Sequence, residues 1–317
     1  MRTYIIRRLL ALIPTLILAT LIIFFLIRMI PGHVIDLMMS QQDVSADKVT
    51  RQKIEKELGL DVPVHVQYVR WMGRIVHGDL GHSLWRQTDV WKDIKERIPV
   101  TFELSVFSLA ISLIFAIPIG VYSAVRQDTM LDYLGRTVSI LGVAVPYFWV
   151  ATMIMVYPAL WWGWSPPVEL IRFSDNPIGN IKMFLIPSAV LGLLLSAVTM
   201  RMMRAMMLEV LRNDYVRTAW AKGAPEKIVI TRHALKNALI PVVTLIGIQV
   251  PILVGGSVVI EQIFALPGIG LLLLDAVNQR DYPIITGLVL VIGIFVLLIN
   301  LLVDLSYGLL DPKVRYQ

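Results

Sequence analysis

The sequence has no cysteine, and its 317 residues carry little charge, since Asp, Glu, Lys and Arg together make up 16% of them. The first absence excludes a disulfide framework, a thiolate metal site and a cysteine nucleophile. The second excludes an ordinary soluble domain, because 56% hydrophobic residues and a mean hydropathy of +0.71 exceed what a globular chain in water carries. The dipeptide Gly-Lys is also missing, and with it any G-x-x-x-x-G-K-[ST] cradle, so this chain cannot hold ATP phosphates by a P-loop. H-E-x-x-H and G-x-S-x-G are absent as well. Acids, bases and metal ligands are scattered rather than clustered, which weakens a membrane-embedded enzyme as a reading.

What is present is six apolar runs, at about 9–30, 99–125, 134–160, 183–200, 239–260 and 284–304. Each matches the roughly 20 residues that cross a hydrocarbon core as a helix. The first follows Arg2, Arg7 and Arg8, is longer than a signal-peptide core, and runs into Arg28-Met-Ile-Pro-Gly32 rather than a small-residue cleavage site. It reads as a retained span. An even number of spans puts both termini on one side. Segment 201–236 has eight Lys/Arg against three Asp/Glu, and the N-terminal tail adds three positive charges; the connections 159–182 and 263–282 carry almost no net charge. The positive-inside rule therefore places both termini and 201–236 in the cytoplasm. The formal charge of +6 belongs to membrane orientation and lipid, not to nucleic acid.

The long connection after the first span carries Val64, Tyr68, Trp71 and Ile75 at helical spacing behind Pro63, and Asp89 can cap a short helix bearing Val90, Trp91 and Ile94. Packing at the membrane surface and contact with cargo are both open for these stripes. His77, Asp79 and His82 invite a metal reading, but Gly78 and Gly81 between them favour a turn. Pro118, Pro146, Pro251, Gly247, Gly255 and Gly256 lie within spans. Such residues mark either close helix packing or a pathway whose lining satisfies the freed backbone. Trp161-Trp-Gly-Trp164 suits an aromatic belt at the outer interface, or a stacking platform for cargo. Glu261 and Asp304 are expected near interfaces within reach of water, and Gln249 and Asn300 are uncharged. With no ionisable residue at mid-span and no evident inverted repeat, a secondary transporter has no seat for a proton or sodium relay.

Residues 212–241 form the charged interruption around which the second half of the chain is arranged. Asp214 is expected to cap a short helix through Tyr215, Ala219 and Lys222, with Gly223 as its C′ residue. Pro225 then opens a second helix with Glu226 in its first turn. A compact basic hairpin between two spans is a docking knob for a soluble partner.

The run Tyr215-Val-Arg-Thr-Ala219-Trp-Ala-Lys-Gly223, followed by His233-Ala-Leu-Lys-Asn237-Ala-Leu-Ile-Pro241, resembles the cytoplasmic coupling loop of the dipeptide/oligopeptide/nickel family of ABC importer permeases. The wider class has Glu-Ala-Ala, three residues, then Gly. Here Arg217-Thr218-Ala219 precedes Gly223, a departure similar to the peptide branch. The likeness extends to Arg7-Arg8, Ile30-Pro-Gly32, Leu58-Gly-Leu-Asp61, Gly78-Asp-Leu-Gly81, Gly142-Val-Ala-Val-Pro146, Glu261-Gln-Ile-Phe264, Pro267-Gly-Ile-Gly270, Arg280-Asp-Tyr-Pro283 and Asn300-Leu-Leu-Val-Asp304.

The resemblance implies an all-α membrane protein of six transmembrane helices, like a type I ABC importer permease, in a prokaryotic inner membrane. Its parts are an N-terminal tail and first helix at 1–31, an extracytoplasmic loop region at 32–98, a five-helix core at 99–311 containing the coupling loop 201–236, and a cytoplasmic tail at 312–317. It implies a second homologous permease, two ATP-binding subunits that hold ATP and Mg, and an extracytoplasmic solute-binding protein; no cofactor resides on this chain and it is not an enzyme. The coupling residues are Asp214, Tyr215, Val216, Arg217, Ala219, Trp220, Gly223 and Glu226. Arg217 and Glu226 orient the contact, Ala219 and Gly223 allow close approach, and Val216 and Trp220 present an apolar face at i and i+4. Peptide is the expected cargo, with nickel or oligosaccharide as the alternatives within the family.

Overall fold

A computed structural model describes residues 2–29, 55, 61–83, 85–163, 165–167 and 169–310. Ile30-Pro-Gly32, Leu58-Gly-Leu60, Trp164 and the tail 312–317 lie outside the described residues, as do the side chains of Arg7, Arg8 and Asp304. The helices are α1 (Arg2–Met29), α2 (Val64–Val76), α3 (Val90–Val125), α4 (Met130–Ala144), α5 (Tyr147–Trp162), α6 (Pro177–Leu211), α7 (Asp214–Ala221), α8 (Glu226–Ile263), α9 (Ile269–Gln279) and α10 (Tyr282–Leu310). No strand occurs among the described residues.

Four of these, α3, α6, α8 and α10, are long and apolar enough to cross a membrane. The α4–α5 pair does so jointly, with a 90° bend between them. The bend falls at Pro146, which has no N–H to continue α4 and holds its own backbone extended (φ −62°, ψ 128°). The described side chains of α1 between Ile13 and Leu26 form a further apolar stretch. Asp89 caps a helix as its sequence suggests, its Oδ1 accepting the Lys92 N–H at 3.1 Å. That helix is not short, however: it runs unbroken through Pro99 to Val125. The stretch with Val90 and Ile94 is the first part of α3, and both side chains are fully buried.

The described residues form two compact units, and the division falls within α1, α3, α9 and α10. One unit holds Ile6–Pro99 and Leu271–Phe295. There the α2 stripe packs on α1, with the Phe24 ring 5.3 Å from Tyr68 and 5.5 Å from Trp71 and the Tyr68 hydroxyl 3.1 Å from Thr20 Oγ1. Ser83 Oγ donates to the buried Asp281 carboxylate at 2.5 Å, and Trp85 Nε1 donates to the Gln279 carbonyl at 2.7 Å. The turn at 77–83 is thus tied to the Arg280-Asp-Tyr-Pro283 run. Among the described residues no group of three or more His, Asp or Glu is arranged to hold a metal, and His77 Nδ1 lies 2.7 Å from the Gly73 carbonyl.

The other unit is built on Val100–Gly270. Leu104 of α3, Phe184, Leu191 and Leu195 of α6, and Leu253 and Ile260 of α8 make its main apolar core. Gly192 lets α6 approach α3 so closely that a Cβ there would sit 2.6 Å from the Ser108 carbonyl oxygen. Thr199 Oγ1 and the Gln249 side-chain amide pair within this core at 3.1 Å, each supplying the other's hydrogen bond away from water. Tyr147, Leu191, Leu195, Leu253, Gly255 and Gly256 line an apolar cavity between α5, α6 and α8.

Glu261 corrects one expectation. It does not reach water but is fully buried, its Oε1 accepting from Thr101 Oγ1 at 2.6 Å. The same hydroxyl accepts the Ile269 N–H at 2.9 Å, and a Cβ on Gly268 would overlap the Glu261 carboxylate. The Pro267-Gly-Ile-Gly270 turn is therefore folded around a carboxylate, which explains its glycines better than flexibility does.

Candidate functional site

The hairpin predicted at 212–241 is a folded object with its own small core. At Leu211 α6 ends, and Asn213 leaves helical geometry (φ −71°, ψ 147°) so that its carbonyl accepts the first amides of α7, from Val216 and Arg217. The cap position is therefore Asn213, not Asp214. Asp214 is already helical, and its charge sits in the first turn, where the helix dipole favours it. Thr218 Oγ1 donates back to the Asp214 carbonyl at 2.8 Å.

The other end matches the glycine signal. Gly223 has φ +75°, its N–H donates to the Trp220 carbonyl at 2.9 Å, and the Ala224 N–H reaches the Ala219 carbonyl at 3.3 Å. This pair of crossed bonds is a Schellman closure, which needs the left-handed residue that glycine supplies without steric cost. Pro225 (φ −60°, ψ 144°) starts α8, and its carbonyl accepts from Ile228 and Val229. The first turns of α8 then widen into a π-helical stretch, Val229–Leu235, before α-helical geometry returns at Lys236.

Val216, Ala219 and Val229 are buried together, with Val210, Leu211 and Ala224 packed around them. The expected Val216–Trp220 face is therefore divided. Val216 turns inward with Ala219, whose small side chain serves this internal packing, while Trp220 remains 46% exposed. Tyr215 is also exposed, and its hydroxyl accepts from Asn237 Nδ2 at 2.8 Å. Arg217 lies 3.6 Å from Asp214, with both side chains largely in solvent, where such a pair contributes little. Glu226 faces a partner the sequence reading did not name: Arg126 at the end of α3, 3.2 Å away. The outer surface of the hairpin thus presents Tyr215, Arg217, Trp220 and Lys222 on a braced support. This surface is an exposed patch of aromatic and basic side chains.

A second cluster beside the hairpin went unnoticed in the sequence. Asp132, in the first turn of α4, is 0% exposed and receives two parallel bonds from Arg204 of α6, Nε to Oδ1 and Nη2 to Oδ2, each 2.8 Å. Ser123 Oγ also donates to it, and so does the Asp128 N–H at 3.1 Å. The available signal was Arg204 lying among the methionines of α6.

Comparison with known proteins places this geometry. Residues 116–316 match the model of the binding-protein-dependent transport system inner membrane component family, and residues 1–105 match the N-terminal model of the same membrane components. A Brucella abortus protein named as a peptide transport system permease is 38% identical over 316 residues, covering all of both chains. The dipeptide transport system permease protein of Escherichia coli K12 is 36% identical over 340 residues, and that of Alkalihalophilus pseudofirmus is 38% identical over 336, again covering both chains fully. The fold is similar to a crystal structure of an amino acid ABC transporter with histidines, at a TM-score of 0.53 and 12% identity, over 68% of this chain and 92% of that one. With full-length relatives at more than a third identity and a family model spanning most of α3 to α10, the chain belongs to the binding-protein-dependent transport system inner membrane component family, the permeases of ABC importers.

Proposed function

We propose that this chain forms half of a peptide-conducting pore and that α7 is the element an ATPase grips. The observation that carries the docking role is the division of the hairpin: Val216, Ala219 and Val229 hold it closed from within, while Tyr215, Arg217 and Trp220 stay outside on a rigid support. The names of the relatives support peptide as cargo. In this reading α1 supplies a sixth span beside α3, the bent α4–α5 pair, α6, α8 and α10. Both termini and the hairpin are then cytoplasmic, the region 32–98 is extracytoplasmic, 99–311 is the core and 312–317 the tail. A second homologous permease completes the pore, two separate subunits hydrolyse ATP with Mg, and an outer binding protein delivers the peptide. Closure of the ATPases would turn the permeases from inward-facing to outward-facing.

The test is affinity purification of the tagged chain from its native membrane in mild detergent. Recovery with a second permease and a P-loop ATPase is expected; recovery alone, with transport or catalysis by the isolated chain, would overturn the reading. Trp220→Ala should leave the chain in the membrane and lower ATPase recovery about tenfold, the usual loss when an exposed aromatic anchor is removed from an interface. Undiminished recovery would remove Trp220 from the contact.

A further inference from the structure

Two contacts join the hairpin to one place in the fold. Its root, the last three turns of α6, is held by Arg204 on the buried Asp132 carboxylate, while its returning arm meets the same place through the exposed Arg126–Glu226 pair, which marks proximity and adds little strength. Arg126 lies in the short connection between α3 and α4, and Asp132 in the first turn of α4, which Thr129 caps by accepting the Asp132 N–H. Glycines bring the backbones together at the same level: a Cβ on Gly120 of α3 would meet the Met203 Cβ at 2.8 Å and the Met200 carbonyl oxygen at 2.9 Å, and Gly135 of α4 packs toward Met200. Ala124, Met203, Met207, Ala234 and Ala238 fill the space between α3, α6 and the π stretch of α8.

We propose that Asp132 and Arg204 are positioning residues for coupling: their buried pair latches the α3–α4 turn to the hairpin, so that a push on α7 displaces α4 together with α6. This rests on the docking role given above to α7. Its physical basis is the asymmetry of a buried ion pair. Such a pair adds little net stability over an apolar replacement, yet separating it strands a charge away from water at high cost. Asp132 also accepts from Ser123 Oγ and the Asp128 amide, but both are neutral, so if Arg204 leaves, the buried carboxylate keeps hydrogen bonds and loses its counter-charge. A contact too costly to open partway travels intact through the cycle. The latch therefore divides the unit at Pro146: α4 moves with the hairpin, and the 90° break is where the motion is passed to α5 or absorbed.

The absence of cysteine makes the test direct. Gln127→Cys in the turn and Thr218→Cys on α7, both exposed positions, carry a pair of spin labels in the complete transporter reconstituted with its ATPases and peptide-loaded binding protein. The distance between the labels is expected to be the same with and without ATP. Asp132→Asn should make it ATP-dependent and lower peptide imported per ATP hydrolysed about tenfold, within the range of mutational effects on coupling. The double variant Asp132→Asn/Arg204→Gln removes the stranded charge and should restore chain abundance without restoring the import ratio. A distance that changes with ATP in the otherwise unaltered chain would overturn the latch while leaving docking intact, as would a double variant with a normal ratio. If no ATPase binds the unaltered chain, the docking role itself falls, and the latch with it.

Discussion

Gly223→Pro should abolish peptide uptake while leaving the protein in the membrane at normal abundance, and the ATPase should no longer co-purify. Residue 223 sits at φ +75°, whereas a proline ring fixes φ near −65° and removes the N–H that now bonds the Trp220 carbonyl. A proline so placed is incompatible with the turn on both counts and destabilises it. Val216, Ala219 and Val229, buried in the hairpin core, contribute a few kcal/mol between them, but that packing cannot be kept with the ring in place, because no proline reaches φ +75°. The hairpin should therefore open locally, while α6 and α8 stay held by the core further along. Gly223→Asn is the contrasting case, since asparagine enters the left-handed region readily, and it should retain most uptake. Ala219→Arg should behave like the proline variant, because position 219 faces Val216 and Val229 and a guanidinium has no room between them. Uptake assayed in cells against immunoblotted membrane fractions decides the matter: normal uptake by Gly223→Pro would sink the docking role of α7.

Gly192→Val should produce a different loss, of the protein itself. The added Cβ would stand 2.6 Å from the Ser108 carbonyl oxygen and 3.0 Å from the Ile111 Cβ, and a main-chain oxygen inside α3 cannot swing aside. The two helices would have to part beside Leu104, Phe184 and Leu191. Helices in lipid associate through close packing rather than through release of water, so this separation is not offset by another driving force. Overpacking of this kind costs about 1–3 kcal/mol or more, enough to lower membrane abundance several-fold and to lower the melting temperature in detergent. Gly255→Ala makes the control, since a Cβ there meets nothing within 4 Å, and it should melt with the parent. A Gly192→Val variant that also melts with the parent would mean that α3 and α6 do not approach as described.

The contrast between these sites shows where sequence is informative. Gly223 and Pro225 are legible because their requirement is local: a left-handed residue followed by one that cannot extend a helix marks a turn whatever surrounds it. The apolar runs are legible for a similar reason, since length and composition decide what lipid accepts. Asp132 and Arg204 meet across 72 positions, and Thr101 and Glu261 across 160. In a single sequence nothing connects such pairs: the position of Glu261 in its run points to the water interface, and its hydroxyl partner Thr101 leaves no local signal. Val216 and Trp220 illustrate a subtler limit. Helical spacing puts them side by side on one face, but only the packing of Val229 from the next helix decides which of the two is covered. Pro99 misled in the opposite direction: it looks like the start of a span, yet α3 began at Val90 and ran through it.

The π-helical stretch between Val229 and Leu235 has a consequence for the azimuth of everything beyond it. A wide turn holds roughly one residue more than an α turn. If it tightened, each later side chain of α8 would be carried round by about 100°, the angle of a single residue. Gly247 would then no longer face Val303, and Gln249 would lose Thr199. The stretch acts as a phase spacer: it lets the hairpin point one way and the apolar faces of the same helix point another, so that each can be matched to its own surroundings by a change of chain length as small as one residue.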